Sequence, residues 1–438
     1  MAELALSELH ASVADPLLDT MNFLNEVTGR YPEAVSLAPG RPYEGFFRPD
    51  RVPEYLDAYL GHLRASGMSE AGVSAVLFQY GRTKGIIHGI VAECLANDES
   101  IKVSPEALVM TVGAQEGMLL TLRALCAGPG DAVLAASPCY VGITGAARLL
   151  DVPVVPVSEG PDGLEPGAVT AAAARAARDG LRPRALYVVP DFANPSGASM
   201  PVAARQELLA AAADAGLLII EDNPYGFFTR EAEPRPTLKS LDQDHTVVYL
   251  GSFAKTCFPG ARLGYVIADQ PVRHADGRRG LLADELAKIK SMVTVNTPSL
   301  SQAVIGGMLL RSDLRLREAN ARAIAFYRDN LRTVLAALDH HFPAGRRERL
   351  GLSWNTPDGG FFTVINVPFT ADAAALERSA RRYGVLWTPM AAFYPEGGGE
   401  HQLRVSSSYL TRERLEEGLD RLAAFLSDEA ASALGPAR

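Results

Sequence analysis

Cysteine is scarce in this chain, with four among 438 residues, and no two of them lie close together in sequence. Structural zinc sites use closely spaced ligand pairs, and disulfide-stapled domains use a much denser set of cysteines. The thiols of Cys94, Cys126, Cys139 and Cys257 therefore predict neither a metal centre nor a disulfide framework. This usage is typical of proteins from a reducing compartment.

Long hydrophobic runs and basic clusters are also missing. No apolar stretch reaches the roughly 18 residues that a membrane-spanning helix needs, and the first 30 residues lack the basic start and apolar centre of a secretory signal. Acidic residues outnumber basic ones by 51 to 42, and the formal net charge is −9. Because such a chain repels phosphate backbones, we expect a cytoplasmic protein with neither a membrane nor a nucleic acid as partner.

The middle of the chain alternates short apolar runs with longer amphipathic ones. Strands that alternate with helices predict an α/β fold with a mostly parallel sheet, whose strands are apolar throughout because both faces are covered. In one run, Pro153 and Pro156 each remove a backbone donor, which predicts a weak or edge strand. The seven runs are Leu108–Val112, Ala132–Ala135, Val152–Val157, Ala185–Val189, Leu217–Glu221, Thr246–Leu250 and Leu263–Ile267.

After about residue 310 the pattern changes. Leu314–Asp339 has the periodicity of one long helix, and shorter strand-like and helical segments follow it. Further helices are predicted near Ala373–Tyr383 and from Arg412 to Leu426. We therefore expect an N-terminal arm over residues 1–50, a large domain over 51–310 and a smaller α+β domain over 311–438.

Lys255 is the most informative single residue. The chain has only six lysines among its 42 basic residues, and this one follows a buried strand in a segment with few other charges. A lysine in that position can be an ordinary surface residue. If it is buried, its lowered pKa suits it to Schiff-base chemistry, and Ser252 and Arg262 beside it can both bind a phosphate.

The segment GSFAKTCFPGARLGY, residues 251–265, resembles the lysine motif of the pyridoxal-phosphate (PLP) aminotransferases of fold type I. The resemblance covers nearly the whole chain and implies a seven-stranded, mostly parallel sheet with a smaller C-terminal domain. It implies PLP as cofactor, held by Lys255 as a Schiff base, with Lys255 also moving the substrate proton. Ser252 and Arg262 would bind the cofactor phosphate. The family usually has a serine where this chain has Ala254.

Two further motifs, Glu221–Tyr225 and Asn194–Gly197, follow strand-like runs in the family's order. A carboxylate at the carboxyl end of a parallel strand points into the ligand crevice, although both motifs are also ordinary turn sequences. The resemblance implies that Asp222 pairs with the pyridine nitrogen and that Tyr225 donates to the phenolic oxygen of the ring. It implies that Asn194 contacts the same oxygen close to the substrate carboxylate.

Small residues open the helix that follows the first run, in Val112–Gly117. Such a helix start offers free N–H groups to an anion, although it can also be only a tight turn. The resemblance assigns Ala114 and Gln115 to the phosphate and Tyr140 to stacking on the pyridine ring. Tyr80 matches a tyrosine that reaches the phosphate from the neighbouring subunit, which implies a homodimer with shared active sites.

The substrate residues follow from the same resemblance. Arg404 matches the arginine that clamps the substrate α-carboxylate, and Gly40 lies in the segment that closes over the substrate. Residues 21–47 and Ser137–Thr144 further resemble the aminotransferases that make aryl-glycines, such as 3,5-dihydroxyphenylglycine, for peptide antibiotics. This narrower resemblance implies an amino acid and a 2-oxo acid as substrates, in bacterial secondary metabolism.

The chain departs from the family after Tyr80. Arg82 replaces a proline, and Lys84 and His88 add further polar groups in a loop that borders the active site in the family. These side chains are either solvated surface charges or contacts for an anionic group of the substrate, and Arg82 is our candidate for the second role. Asp191 and Phe192 occupy positions that vary with the substrate in the family.

Two alternatives to transamination stay open at this point. A PLP enzyme of the same fold can instead eliminate or replace a β- or γ-substituent, or form a ring or a carbon–carbon bond, for example on S-adenosylmethionine. Some transcription regulators also carry an aminotransferase-like domain behind a DNA-binding module. The aminotransferase pattern begins near residue 20 and no basic footprint accompanies it, which disfavours a regulator.

Overall fold

The computed structural model describes residues 3–18, 26, 29–231 and 233–435. The segment 21–25, which opens the narrower resemblance, lies outside the described residues. The strands are β1 (Val35–Ser36), β2 (Leu108–Thr111), β3 (Asp131–Ser137), β4 (Val154–Gly160), β5 (Gly163–Leu164), β6 (Arg182–Val188), β7 (Leu218–Asp222), β8 (Val247–Ser252), β9 (Gly264–Ile267), β10 (Pro271–Arg273), β11 (Arg279–Leu281), β12 (Ser353–Trp354), β13 (Phe362–Asn366), β14 (Val385–Leu386), β15 (Thr388–Pro389) and β16 (Gln402–Ser406).

The helices alternate with the strands in the first two thirds of the chain and dominate the last third. They are α1 (Val52–Ala65), α2 (Glu70–Phe78), α3 (His88–Glu99), α4 (Gly113–Leu125), α5 (Val141–Leu149), α6 (Pro166–Arg178), α7 (Val202–Asp214), α8 (Leu238–Leu241), α9 (Leu282–Val293), α10 (Ser299–Arg311), α11 (Leu316–Ala319), α12 (Ala321–His341), α13 (Ala344–Arg349), α14 (Ala373–Arg378) and α15 (Arg412–Leu434). None of the described helices combines the length and apolar character needed to cross a membrane.

The large sheet has the strand order β2-β9-β8-β7-β6-β3-β4-β5. The pairs of β3 with β4 and β6, of β6 with β7 and of β7 with β8 are parallel, whereas β9 runs antiparallel to β2 and β8. All seven predicted runs form strands of this sheet, which confirms the predicted α/β class. The eighth strand, β5, was not predicted; a turn at Pro161 and Asp162, followed by Gly163 with a φ of +87°, brings it back onto β4.

Prolines mark the edge of the sheet as predicted. β5 pairs only with Glu159 and Gly160, so the rest of β4 has a described neighbour on one side alone, β3. Pro156 lies in this part of the strand, where a missing N–H donor is tolerated because that side of the strand is not paired.

A second sheet, of order β12-β13-β16-β15, is antiparallel and lies in the last third of the chain. The N-terminal segment joins this part of the molecule, since β1 pairs with β14 in parallel and Ser406 N–H donates to the carbonyl of Leu37 at 2.7 Å. The chain therefore passes from the small sheet across residues 38–41 to the large sheet, and these residues lie between the two.

The predicted long helix is two helices in the structure. Asp313 and Leu314 have φ values of +50° and +58°, which a helix does not accept, so helical structure begins at Leu316 and is interrupted at Asn320. α12 contributes to both cores: Tyr327 packs in the large-domain core and Leu338 in the core of the small sheet. The boundary near residue 310 stays a prediction.

Candidate active site

One cavity of about 230 Å³ lies at the carboxyl ends of the parallel strands, where the large sheet meets the small one. This is the expected ligand position in an α/β sheet, because adjacent connections leave a crevice there. The lining residues come from both sheets and from the N-terminal segment. They include Gly40, Arg41, Gly113, Ala114, Gln115, Tyr140, Asn194, Asp222, Tyr225, Ser252, Lys255, Arg262, Phe362 and Arg404.

Lys255 reaches this cavity from the turn after β8. Its Nζ donates a hydrogen bond to the carbonyl oxygen of Gly40 at 2.7 Å, so the N-terminal segment holds the amine in place. Burial, together with the nearby cations Arg262, Arg404 and Arg41, lowers the pKa of Lys255 to about 8. A lysine in this setting has an accessible neutral form, which is the form that attacks a carbonyl.

Asp222 ends β7 and is buried on the floor of the cavity. Its Oδ2 accepts a hydrogen bond from Tyr187 Oη at 2.6 Å, whereas its Oδ1 is buried without a partner among the described residues. Burial raises the pKa of Asp222 to about 6, and the Tyr187 bond opposes that rise. A buried carboxylate oxygen without a donor is costly, and a protonated ring nitrogen would supply the missing donor.

Arg404 on β16 closes the opposite side of the cavity. Its guanidinium donates to Asn194 Oδ1 and, at 3.1 Å, to the carbonyl of Ala38. The group lies over the Phe362 ring at 4.1 Å and the Phe393 ring at 5.0 Å, which fixes its plane. Such a planar fork binds a carboxylate through two parallel hydrogen bonds.

The phenol of Tyr225 lies beside the side-chain amide of Asn194. Burial raises the pKa of Tyr225, and the hydrogen bond to Asn194 offsets only part of that rise, so the phenol stays protonated as a donor. Its ring packs edge-on against Phe362, with centroids 5.7 Å apart. Tyr140 also lines the cavity, and burial raises its pKa to about 12.

The third side of the cavity suits an anion. Gly113 has a φ of +73°, and a Cβ atom there would lie 2.7 Å from Nη2 of Arg262, so only glycine lets the guanidinium approach the start of α4. The amides of Gly113, Ala114 and Gln115 open a helix and have no carbonyl partner in the preceding turn. Ser252 at the end of β8 lines the same corner.

Tyr80 and Arg82 do not line the cavity of their own chain. Tyr80 is 84% exposed, and Arg82 forms an ion pair with Glu106 at 2.8 Å. Lys84 is buried and pairs with Asp284 at 2.6 Å, so it is a structural cation. His88 contacts Arg82 at 3.2 Å outside the cavity.

Two other residues singled out in the sequence also lie outside the described cavity. Asp191 is paired with the fully buried Arg205, and Phe192 packs against Gly360, where a Cβ atom would lie 2.3 Å from the Phe192 Cβ. Both positions therefore anchor the loop that carries Asn194.

Several contributors are not evident from the sequence. Tyr187 lies within an apolar strand, and its only sequence signal is a polar-tipped aromatic in an otherwise aliphatic run. Phe362 lies on β13 of the small sheet and Phe393 follows β15, and nothing in their sequence indicates that Arg404 lies between them. Arg41 adjoins Gly40, which the resemblance did single out.

Residues 77–422 match the family model described as aminotransferase class I and II. This match spans most of the 438 residues.

The chain belongs to the class I and II aminotransferases.

Curated aminotransferases and solved structures agree with this assignment. The chain is 50% identical to an (S)-3,5-dihydroxyphenylglycine transaminase of Amycolatopsis orientalis, over 97% of this chain and 95% of that protein. It is 30% identical to a 2-aminoadipate transaminase of Thermus thermophilus, over 92% of each chain. An alpha-aminoadipate aminotransferase from Thermus thermophilus, solved in complex with N-(5'-phosphopyridoxyl)-L-leucine, is 28% identical with a TM-score of 0.79 and covers 97% of this chain and 99% of that one.

The aminotransferase family and these structures confirm the fold type I architecture and identify pyridoxal phosphate as the cofactor. The cavity fits this group: it offers an amine, a buried carboxylate oxygen that lacks a donor, and an anion-binding helix start beside an arginine. The protein is therefore a PLP-dependent aminotransferase acting on amino acids and 2-oxo acids. These matches favour transamination over the elimination or replacement alternative, and an enzyme over a regulator.

Proposed function

We propose that this aminotransferase exchanges the amino group of an aryl-glycine of the 3,5-dihydroxyphenylglycine type with a 2-oxo acid. The main support for this substrate is the 50% identity to the (S)-3,5-dihydroxyphenylglycine transaminase over nearly the full length of both chains. The aryl-glycine aminotransferase motifs at residues 36–47 and Ser137–Thr144 support the same substrate. Because aryl-glycines are not standard protein residues, we assign the enzyme to bacterial secondary metabolism, in the biosynthesis of a peptide antibiotic.

Each cavity residue has a role in this proposal. PLP, when bound, supplies an aldehyde for covalent attachment and a ring that withdraws electrons from the substrate Cα. Lys255 holds the cofactor through Nζ, and its amine then carries the proton to and from the substrate Cα. Asp222 Oδ1 holds a proton on the ring nitrogen, which keeps the ring electron-withdrawing, and Tyr225 and Asn194 hold the ring's phenolic oxygen.

The remaining residues bind the charged ends. Gly113, Ala114 and Gln115 at the start of α4, with Ser252 and Arg262, bind the phosphate, while Tyr140 covers the ring. Arg404 binds the substrate α-carboxylate, which replaces its present bond to Asn194. The backbone carbonyl of Gly40 lies beside the Lys255 amine, on the side where the substrate would bind. A Cβ atom at this glycine would lie 2.4 Å from the Phe362 ring, so a larger residue would displace a cavity wall.

We further propose that the enzyme acts as a homodimer in the cytoplasm. The four cysteines are free thiols, as expected in a reducing compartment. Tyr80 and Phe78 are exposed, and a hydrogen bond from Ser299 Oγ to the carbonyl of Leu77 at 2.5 Å brings the exposed Leu300 into the same region. A partner subunit would cover these apolar side chains. Tyr80 and Arg82 would then reach the partner's cavity, Tyr80 toward the phosphate and Arg82 toward the substrate.

The substrate is tested by adding single amino donors to the purified holoenzyme without an acceptor. We expect (S)-3,5-dihydroxyphenylglycine to convert the bound cofactor fastest, with release of the matching 2-oxo acid detected by mass spectrometry. 2-Aminoadipate, phenylalanine and glutamate are the comparison donors. Faster conversion by 2-aminoadipate would overturn the aryl-glycine proposal, and a released β- or γ-substituent would overturn transamination itself.

Arg82 is tested separately by Arg82→Ala. If Arg82 contacts the substrate, KM for the aryl-glycine rises by about tenfold to a hundredfold, since a charge-assisted hydrogen bond contributes about 1.5–3 kcal/mol, while PLP binding is unchanged. The matched control is Arg51→Ala, an exposed arginine paired with Glu54 at 3.2 Å. Equal kinetics for the Arg82 variant and the wild type would assign Arg82 to the surface, in its ion pair with Glu106.

A further inference from the structure

A buried ion pair lies behind the anion-binding end of the cavity. Lys290 Nζ on α9 is 2.8 Å from Glu116 Oε2 on α4, and the two side chains are 0% and 7% exposed. Neither residue is among those that line the described cavity. The family match and the sequence motifs give them no role in the reaction.

Glu116 connects the end of one helix to the start of another. Its Oε2 also accepts the backbone N–H of Val112 at 2.6 Å, and its Oε1 accepts the hydroxyl of Thr294 at 2.7 Å. Lys290 in turn donates to Thr294 Oγ1 at 2.8 Å. The carboxylate therefore fixes the residue immediately before Gly113, where the first free amides of α4 begin.

This position has an electrostatic cost. A carboxylate in the first turn of a helix is favourable for the helix alone, because it faces the positive end of the dipole. A phosphate bound at the same helix start would be repelled by that carboxylate, and low-dielectric surroundings strengthen the repulsion. Lys290 is the cation that contacts Glu116 among the described residues, and it neutralises this charge.

We propose that Glu116 and Lys290 are a positioning pair for the cofactor phosphate. Glu116 holds the Val112–Gly113 turn in its binding conformation, and Lys290 cancels the charge of Glu116 so that the turn accepts a dianion. This inference rests on the proposed function, in which the start of α4 binds the phosphate of PLP.

The test compares how tightly the cofactor-free enzyme binds PLP and pyridoxal, which lacks the phosphate. Both dissociation constants are measured by titration, following the absorbance of the protein-bound aldehyde. We expect Lys290→Met to raise the Kd for PLP by about tenfold or more, because it leaves a buried carboxylate unpaired. The Kd for pyridoxal should change by less than about threefold, because the repulsion acts on the phosphate.

The reverse substitution separates charge from structure. Glu116→Gln keeps an oxygen that can accept the Val112 N–H, so the turn is still held, but it removes the negative charge and leaves Lys290 as an uncompensated cation. The Kd for PLP should therefore stay equal or fall, and the double variant E116Q/K290M should return close to the wild-type value. If K290M does not fold, the Kd values for PLP of E116Q and of the double variant still test the proposal. Weakening of PLP binding by E116Q, or equal effects of K290M on PLP and pyridoxal, would mean a purely structural pair and overturn the proposal.

Arg262→Ala distinguishes this inference from the site on which it rests. If R262A weakens PLP binding and K290M does not, the positioning pair is wrong and the phosphate site stands. If R262A leaves the Kd for PLP unchanged, the phosphate assignment itself fails.

Discussion

Asp222 and Lys255 are buried ionisable groups of one cavity, and burial moves their pKa values toward each other. The pKa of Asp222 rises to about 6, and that of Lys255 falls to about 8. The cofactor-free protein therefore has an ionised Asp222 together with a neutral Lys255 above about pH 8. This combination is the one that PLP attachment requires, because the amine must attack the aldehyde while the carboxylate receives the protonated ring nitrogen.

Asp222→Asn should abolish transamination but stabilise the cofactor-free protein at neutral pH. Folding raises the pKa of Asp222 from 3.8 to about 6, so the folded state binds this proton more tightly than the unfolded chain. The free energy of unfolding of the wild type therefore falls as pH rises from about 4 to about 6, because Asp222 loses its proton. D222N has no such proton to lose and keeps its stability over that range. The gain, measured by urea unfolding, should reach up to about 3 kcal/mol above pH 6 and disappear near pH 4.

Asp131→Asn is the control, and it should change stability in the opposite direction. In the wild type, the hydrogen bond from Arg182 lowers the pKa of Asp131 to about 2, so the ionised carboxylate favours the folded state at neutral pH. This substitution should destabilise the protein at pH 7, and the loss should shrink as pH falls toward 2. A destabilising D222N at pH 7 would contradict the description of Asp222 as a buried carboxylate lacking a donor.

The rate at which PLP attaches to Lys255 should rise with pH through an inflection near 8. The neutral amine is the nucleophile, and burial with three neighbouring cations makes it available at lower pH than a free lysine, whose pKa is near 10.4. Arg404→Met removes one of these cations, so its inflection should move to higher pH. Borohydride fixation at timed intervals, followed by peptide mass spectrometry, measures the rate; an inflection above about pH 10 in the wild type would rule out this environment for Lys255.

At the scale of elements, the loop between β6 and α7 depends on one buried pair. Arg205 is fully buried and donates to both carboxylate oxygens of Asp191, and also to the carbonyls of Met200 and Pro236. Asn194 lies within the same loop. The pair therefore holds the amide that contacts both Arg404 and Tyr225.

Arg205→Met should destabilise the protein by about 3–5 kcal/mol, because it leaves the Asp191 carboxylate buried and unpaired. Displacement of Asn194 should also lower kcat/KM more than it lowers PLP affinity. Arg412→Met, which breaks an exposed pair with Glu416, is the control and should leave both stability and kinetics nearly unchanged. An R205M variant as stable as the wild type would show that the loop is held by other contacts.

At the scale of the whole molecule, the proposed homodimer with shared active sites predicts how mixed subunits behave. A Lys255→Ala subunit and a Tyr80→Ala subunit, joined in one dimer, form one cavity with both lesions and one with neither. The hybrid, isolated through two different affinity tags, should therefore be more active than either parent. The hybrid of Lys255→Ala with wild type, which also has one intact cavity, sets the expected level. A Lys255→Ala/Tyr80→Ala hybrid whose activity is only the mean of its two parents would mean that each chain uses its own Tyr80.

Much of the fold and the site follows from the order of residues alone. Continuous apolar runs predicted all seven main strands, because a strand covered on both faces is apolar at every position and does not alternate between apolar and polar residues. Gly113, Tyr140, Asn194 and Asp222 lie at or just after the carboxyl ends of these strands. Since the carboxyl ends of parallel strands share one edge of the sheet, the fold brings these residues into one crevice. The aminotransferase family and its cofactor follow from motifs of that kind.

What the tertiary structure decided is which polar groups pair. Lys290 and Glu116 are 174 positions apart, and Arg404 and Asn194 are 210 apart, so no local pattern records either contact. In the sequence, Lys84 could be either a solvated surface charge or a substrate contact, and Asp191 occupies a position that varies with the substrate in the family. The fold pairs them with Asp284 and Arg205. Periodicity reports which face of an element is buried, whereas the partner of a buried charge depends on how distant elements pack, because burying it unpaired is too costly.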